Sequence, residues 1–250
     1  MSAAVDEEIL VRNPHAKVKK PRVDTEEKTP LDKEQARRLI KSLNEDDPNA
    51  HTIGVLLALT CGLRRAEVLG LRWCDFDKEK RCIQVVRTLS ADGREIKTTK
   101  TKAGRRTIPL DAATAKRLED WKTVQGNYLL SLGLSQDGER YIVTSTTGGN
   151  MHPENLARWW KKYSKKNGLS GYSLHQLRHT YATLLVAQGT DIVTAKTLMG
   201  HTDTKMLTEL YAHLVPENAS RAVDMIGNTL YAEDDAEKKV IESEGKEKTA

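Results

Sequence analysis

The sequence predicts a mainly helical α+β domain with a small antiparallel β-sheet on one edge. Three observations lead there. Apolar residues before position 75 recur at helical spacing. Between residues 81 and 110 the pattern changes to period two. After Pro153 helical patterns follow one another with short breaks.

The elements follow in order. Residues 1–12 suit the end of a helix, and NPHAKVKKPRVDTEEKTP, residues 13–30, reads as a charged, proline-bearing linker. Asp32 caps a helix to about Leu43 that presents Ala36, Leu39, Ile40 and Leu43 on one face. Ile53–Leu59 is apolar throughout and predicts a buried helix, and Gly62 separates it from a new helix beginning near Arg65. RCIQVVRT (81–88), REIKTTK (94–100) and RRTIPL (105–110) predict three short antiparallel strands, with Asp92-Gly93 and Ala103-Gly104 as turns. Asp111 starts a helix toward Trp121, and RYIVTS (140–145) predicts a further short strand. Helices are then expected over Pro153–Lys166, Ser173–Ala187, Asp191–Met199, Lys205–Tyr211 and Glu217–Leu230. The charged residues 232–250 read as a disordered tail.

Composition narrows the function classes. The chain is 38% hydrophobic and 30% charged, and no run of about 18 apolar residues is present, so no membrane partner is expected. The N-terminus is too polar for a secretory signal. Cys61, Cys74 and Cys82 form no CxxC pair, which suits a reduced, cytoplasmic setting. The formal charge is +5, but residues 232–250 hold seven acidic and four basic residues, leaving +8 on residues 1–231. A basic body suits a polyanion such as nucleic acid, and equally a solvated basic surface.

SLHQLRHTYA, residues 173–182, concentrates titratable chemistry. On a helix His175 is a neighbour of both Arg178 and His179. One reading is an ordinary polar helix end. A second is zinc held by His175 and His179 with His201 as third ligand, but the glutamate of an HExxH site is absent and Arg178 would repel a cation. The third is an anion site, since a guanidinium fork suits phosphate and a neighbouring histidine can donate to it or exchange a proton with it.

The rest of the chain favours the third reading. TCGLRRAE carries Arg64, KTTKTKAGRRTIPL a hairpin lysine, HQLRHT His175 and Arg178, LMGH Gly200 and His201, and ELYAHL Tyr211. In this order the set, covering roughly residues 31–226, resembles the tyrosine recombinase, or phage integrase, family. The resemblance implies the fold of that family's catalytic domain and strand cleavage and rejoining in site-specific DNA recombination. It implies Tyr211 as the nucleophile that forms a 3′-phosphotyrosine, with Arg64 and Arg178 clamping the phosphate. His175 would serve as acid/base, His201 would donate to the phosphate, and Lys102, placed ahead of Lys100 and Lys97, would protonate the leaving 5′ oxygen. Glu67, three residues after Arg64, would hold that arginine, although such pairs on a surface contribute little. His179 would be a supporting residue, Arg65 would face DNA or solvent, and Tyr163, Tyr172 and Tyr181 would be packing residues. In ARWWKKYSKK one of Trp159 and Trp160 is expected in the core, with the lysines along a DNA backbone.

No metal, nucleotide or redox cofactor is implied. The implied partners are double-stranded DNA, further copies in a homo-tetramer joined through helix 217–230, and an accessory DNA-bending or directionality factor. Residues 1–30 read as the remnant helix and linker of an otherwise missing N-terminal DNA-binding domain, 31–231 as the catalytic domain and 232–250 as the tail. The competing reading is a non-catalytic remnant that binds DNA or interferes with an intact recombinase.

Overall fold

A computed structural model of the chain describes residues 29–98 and 104–200, with Thr208 and the helical residues 223–226 and 228–230. Helix α1 (Lys33–Glu45) starts where Asp32 accepts from the Gln35 backbone and Gln35 answers with its side chain. Helix α2 (Ala50–Thr60) is capped in the same reciprocal way by Asn49 and Thr52. Residues 52–59 of α2 are all buried, as a helix apolar on every side must be. Around it pack α1, the short α3 (Arg65–Gly70), α4 (Ala112–Ser131), α5 (Pro153–Lys166) and α6 (Leu174–Ala187). Helix α7 (Ile192–Met199), capped by Asp191, lies against α6. One apolar core runs from Leu31 to Leu177, and Ala182, Ala195 and Met199 form a smaller cluster between α6 and α7.

The β-structure is split where one sheet edge was expected. β1 (Phe76–Asp77), β2 (Cys82–Val85) and β5 (Arg106–Pro109) form one antiparallel sheet, and β3 (Arg87–Leu89) and β4 (Ile96–Thr98) form a separate ribbon. The predicted strand 81–88 therefore divides at Val86. The cause is packing: a Cβ on Gly70 would lie 3.0 Å from the Arg87 carbonyl oxygen, so α3 rests directly on the β3 backbone.

The strand expected over residues 140–145 does not form. Its backbone is used by other partners. Trp121 Nε1 donates to the Ile142 carbonyl at 2.7 Å, and Gln125 Nε2 donates to the carbonyls of Tyr141 and Ile142 at 3.0 and 3.2 Å. Only isolated bridges remain, Arg72 with Tyr141 and Thr144 with Asn150. Helix α4 also runs ten residues beyond Trp121, to Ser131. The helix expected over residues 205–211 lies outside the described residues except for Thr208, as do residues 1–28 and 231–250.

Leu57, fully buried at the centre of α2, tests this architecture. Leu57→Ala should lower the unfolding free energy by about 2–5 kcal/mol. Chemical denaturation would check this; a change below 1 kcal/mol, on the order of a surface substitution, would contradict the assignment of α2 as the central helix.

Candidate active site

The turn after α2 delivers Arg64. Gly62 has φ +61°, and a Cβ there would lie 2.3 Å from the Tyr181 ring, so a side chain at 62 is excluded on both counts. Arg64 then occupies the N-cap position of α3, where its backbone N–H donates to Glu67 Oε2 at 2.8 Å and its Nη1 donates to Glu67 Oε1 at 2.9 Å. The pair is not a surface i,i+3 contact, because the Glu67 side chain is 2% exposed.

Two further arginines meet the same carboxylate. Arg106, on β5, donates from Nη1 to Oε1 and from Nη2 to Oε2, both at 3.0 Å. Arg178, on α6 and 1% exposed, holds Nη1 3.7 Å from Oε2. Three guanidiniums thus face one carboxylate, leaving two positive charges in excess.

The same arginines grip the end of α7. Arg106 Nε donates to the Leu198 carbonyl at 2.8 Å, Arg178 Nη2 to that of Met199, and Arg64 Nη2 to that of Gly200 at 3.3 Å. Among the described residues these carbonyls have no intrahelical donor; they form the negative end of the helix, so they offset part of the excess charge. Gly200 closes α7 in the left-handed region at φ +58°, and a Cβ there would lie 2.6 Å from Arg106 Nη1. Arg178 Nη1 also donates to the Gly62 carbonyl at 2.5 Å. Its Nε is buried and makes no hydrogen bond among the described residues.

The electrostatics follow from this crowding. Burial opposes ionisation of Glu67, but the hydrogen bonds and charge of Arg106, followed by those of Arg64, outweigh it and hold its carboxyl below the usual range. Burial, then the charge of Arg64, push Arg178 down to about 9, so it remains a cation near neutrality. Burial, then His179, Arg178 and Arg64, lower the pKa of His175, which keeps its imidazole neutral near pH 7. The His175 and His179 rings meet edge-to-face with centroids 4.5 Å apart. A buried cationic cluster beside a neutral imidazole can bind a phosphodiester and exchange a proton with it.

A cleft of about 800 Å³ leads away from Arg64 and His175, past Arg65, Lys161, Lys165 and Ser173. Arg65, Lys161 and Lys165 are exposed. Trp160 is in the core, while Trp159 stacks between His51 and Tyr163 at 5.2 and 4.5 Å. The structure therefore brings Arg64, Glu67, His175, Arg178 and His179 to one place. Lys97 lies on β4 and pairs with Glu95 at 3.2 Å. Lys100, Lys102, His201 and Tyr211 lie outside the described residues.

The other tyrosines have structural partners. The Tyr163 hydroxyl donates to Asp46 at 2.7 Å, and burial pushes Tyr181, packed over Gly62, up to about 12. Arg106 is the residue that sequence reasoning missed. Its signal was an arginine on the inward side of a period-two strand, in register with buried Ile108.

Glu67→Ala should cost about 3–5 kcal/mol at pH 7, because it strands the buried charges of Arg106 and Arg178. The folded-state pKa of Glu67 lies below its ordinary 4.5, so its contribution is complete above 4.5 and is lost as pH falls through the lower folded value. The stability gap between wild type and Glu67→Gln should accordingly narrow below pH 4.5 in melts run across pH. A gap that stays constant would contradict the ionised pair.

Comparison with known proteins identifies the family. The phage integrase family profile matches residues 29–218. A XerC-like tyrosine recombinase of Caldanaerobacter subterraneus subsp. tengcongensis is 30% identical over 248 residues, covering 90% of this chain and 62% of that protein. The ICEBs1 integrase of Bacillus subtilis is 31% identical over 229 residues, covering 91% of this chain and 62% of that protein. The chain thus spans about three-fifths of the length of these relatives. The Tn1549 transposon integrase, solved in complex with transposon right end DNA, superposes with a TM-score of 0.63 at 25% identity, covering 82% of this chain and 68% of that one. A second structure of that integrase, with a circular intermediate DNA, gives 0.68 at 23% identity, covering 90% and 75%. With its fold, its motifs and this match in agreement, the chain belongs to the phage integrase family, the tyrosine recombinases.

Proposed function

We propose that this protein cuts and rejoins DNA strands in site-specific recombination, by transesterification through Tyr211. The observation that carries the reading is the cluster on Glu67, where two positive charges are left over beside an Arg178 Nε that has no partner among the described residues. A scissile phosphate supplies the missing negative charge, and its developing charge in the transition state is what such preorganised donors stabilise.

The Tyr211 oxygen attacks phosphorus as its hydroxyl loses a proton, and the bond from phosphorus to the 5′ oxygen breaks. The leaving oxygen takes a proton from Lys102. A 3′-phosphotyrosine conserves the bond, and attack by a 5′-hydroxyl reverses the step. His175, neutral near pH 7, is suited to accept the tyrosine proton, and His201 would donate to the phosphate. The residues assigned here supply nucleophile, charge and proton without a cofactor.

Double-stranded DNA is the partner that suits the basic cleft with Arg65, Lys161 and Lys165. Homo-tetramer assembly on two DNA sites, through the C-terminal helix, suits the exposure of Val223, Met225, Ile226 and Leu230, each at least 60% exposed. An apolar cleft of about 510 Å³ lined by Ala36, Ile40, Leu59, Leu184 and Leu185 offers a face for such a helix. An accessory DNA-bending or directionality factor belongs to the same reading, as does action in the cytoplasm on the bacterial nucleoid.

Covalent trapping tests it. Nicked duplexes that lose a 5′-hydroxyl fragment on cleavage, incubated with the chain in EDTA, should give a detergent-resistant adduct at Tyr211. Tyr211→Phe should give none, and Arg178→Ala should form it about 10²–10³-fold more slowly. Adduct formation by Tyr211→Phe would overturn the assignment, and salt-sensitive DNA binding with no adduct from wild type would favour a non-catalytic DNA-binding protein.

A further inference from the structure

Arg106 is buried on β5, outside the residues assigned to the chemistry, yet it meets both halves of the site. Its Nη1 and Nη2 close a two-pronged pair on Glu67, and its Nε holds the Leu198 carbonyl at the end of α7. Gly200 leaves the space it occupies, since a Cβ there would lie 2.6 Å from Nη1. Only a planar fork reaches two carboxylate oxygens and a carbonyl behind them; a lysine ammonium presents a single point.

The consequence concerns Arg178. Glu67 has two oxygens, and Arg106 takes both, while Arg64 also meets both, with Nη1 on Oε1 and its backbone N–H on Oε2. Arg178 is left at 3.7 Å, too far for a hydrogen bond, and its Nε keeps no partner among the described residues. Remove Arg106 and Glu67 keeps only its donors from Arg64; Arg178, the remaining buried cation at 3.7 Å, would then close on Glu67 and turn its Nε away from the phosphate position. We propose that Arg106 is a positioning residue of this site: by saturating Glu67 and fixing the end of α7, it keeps the Nε–H of Arg178 available to substrate. The inference rests on the recombinase reading for its effect on rate and on the geometry alone for its effect on Arg178.

The test uses Arg106→Lys and Arg106→Met in the full chain, each assayed well below its melting temperature. With saturating nicked duplex, single-turnover adduct formation should fall about 10²-fold for Arg106→Met and less for Arg106→Lys, as a misplaced catalytic group predicts. The duplex concentration giving half-saturation should not change beyond assay error. In parallel, ¹⁵N–¹H spectra of guanidinium groups report the Nε–H of Arg178, which should shift in both variants. Unchanged rates in folded variants, or a loss confined to DNA affinity, would overturn the proposal. If wild type forms no adduct, the recombinase reading fails, and the Arg178 resonance decides the positioning role by itself: a signal unmoved by Arg106→Lys overturns it. If neither variant melts cooperatively, wild type still decides. Its Arg106 Nε–H should exchange slowly, and exchange at the rate of free arginine would contradict the bond to Leu198.

Discussion

Glu67 is the carboxylate that Arg64, Arg106 and Arg178 all face, and the architecture around it keeps it charged. A buried carboxylate tends to take up a proton, since desolvation penalises its ionised form. Here the hydrogen bonds and charge of Arg106 and Arg64 reverse that tendency. The carboxylate then determines where three guanidiniums lie, and through them where α7 ends. Such a buried ionic cluster is weak evidence for stability, because desolvation offsets most of its attraction. Its excess of positive charge makes sense as preparation for an anion.

The rest of the fold supplies that geometry from distant parts of the chain. Arg64 and Glu67 come from α3, which is fixed by the contact of Gly70 with β3. Arg106 comes from β5 and Arg178 from α6. Helix α2, buried over residues 52–59, is the common packing surface of α3 and α6. Leu31 N–H donates to Thr180 Oγ1 at 2.9 Å, tying the start of the described region to α6 two residues after Arg178. An error of an ångström in any of these packings would displace an arginine of the cluster.

Much of this was legible in the sequence because local chemistry and tertiary packing agree. Asp32, Asp111 and Asp191 each cap the helix that follows, as their positions before helical patterns suggest. The motif around Arg64, His175 and Arg178 was readable because its residue types and order resemble the family pattern. Other features depended on distant partners. RYIVTS looks like a strand, but side chains of Trp121 and Gln125 use its carbonyls. The run 81–88 looks continuous, but α3 presses on its second half and turns it into a different ribbon. Arg106 looked like one basic residue among several in RRTIPL, and its role depends on Glu67, 39 residues away.

The central claim is that the cluster on Glu67 is an anion site completed by phosphate. The most direct test is the melting temperature as inorganic phosphate replaces chloride at constant ionic strength. A ligand that binds the folded state raises stability as its concentration passes its dissociation constant. Wild type should therefore gain melting temperature with phosphate, and Arg64→Met, altered at the most exposed of the three arginines, should lose most of that gain. Equal responses from the two proteins would contradict the account.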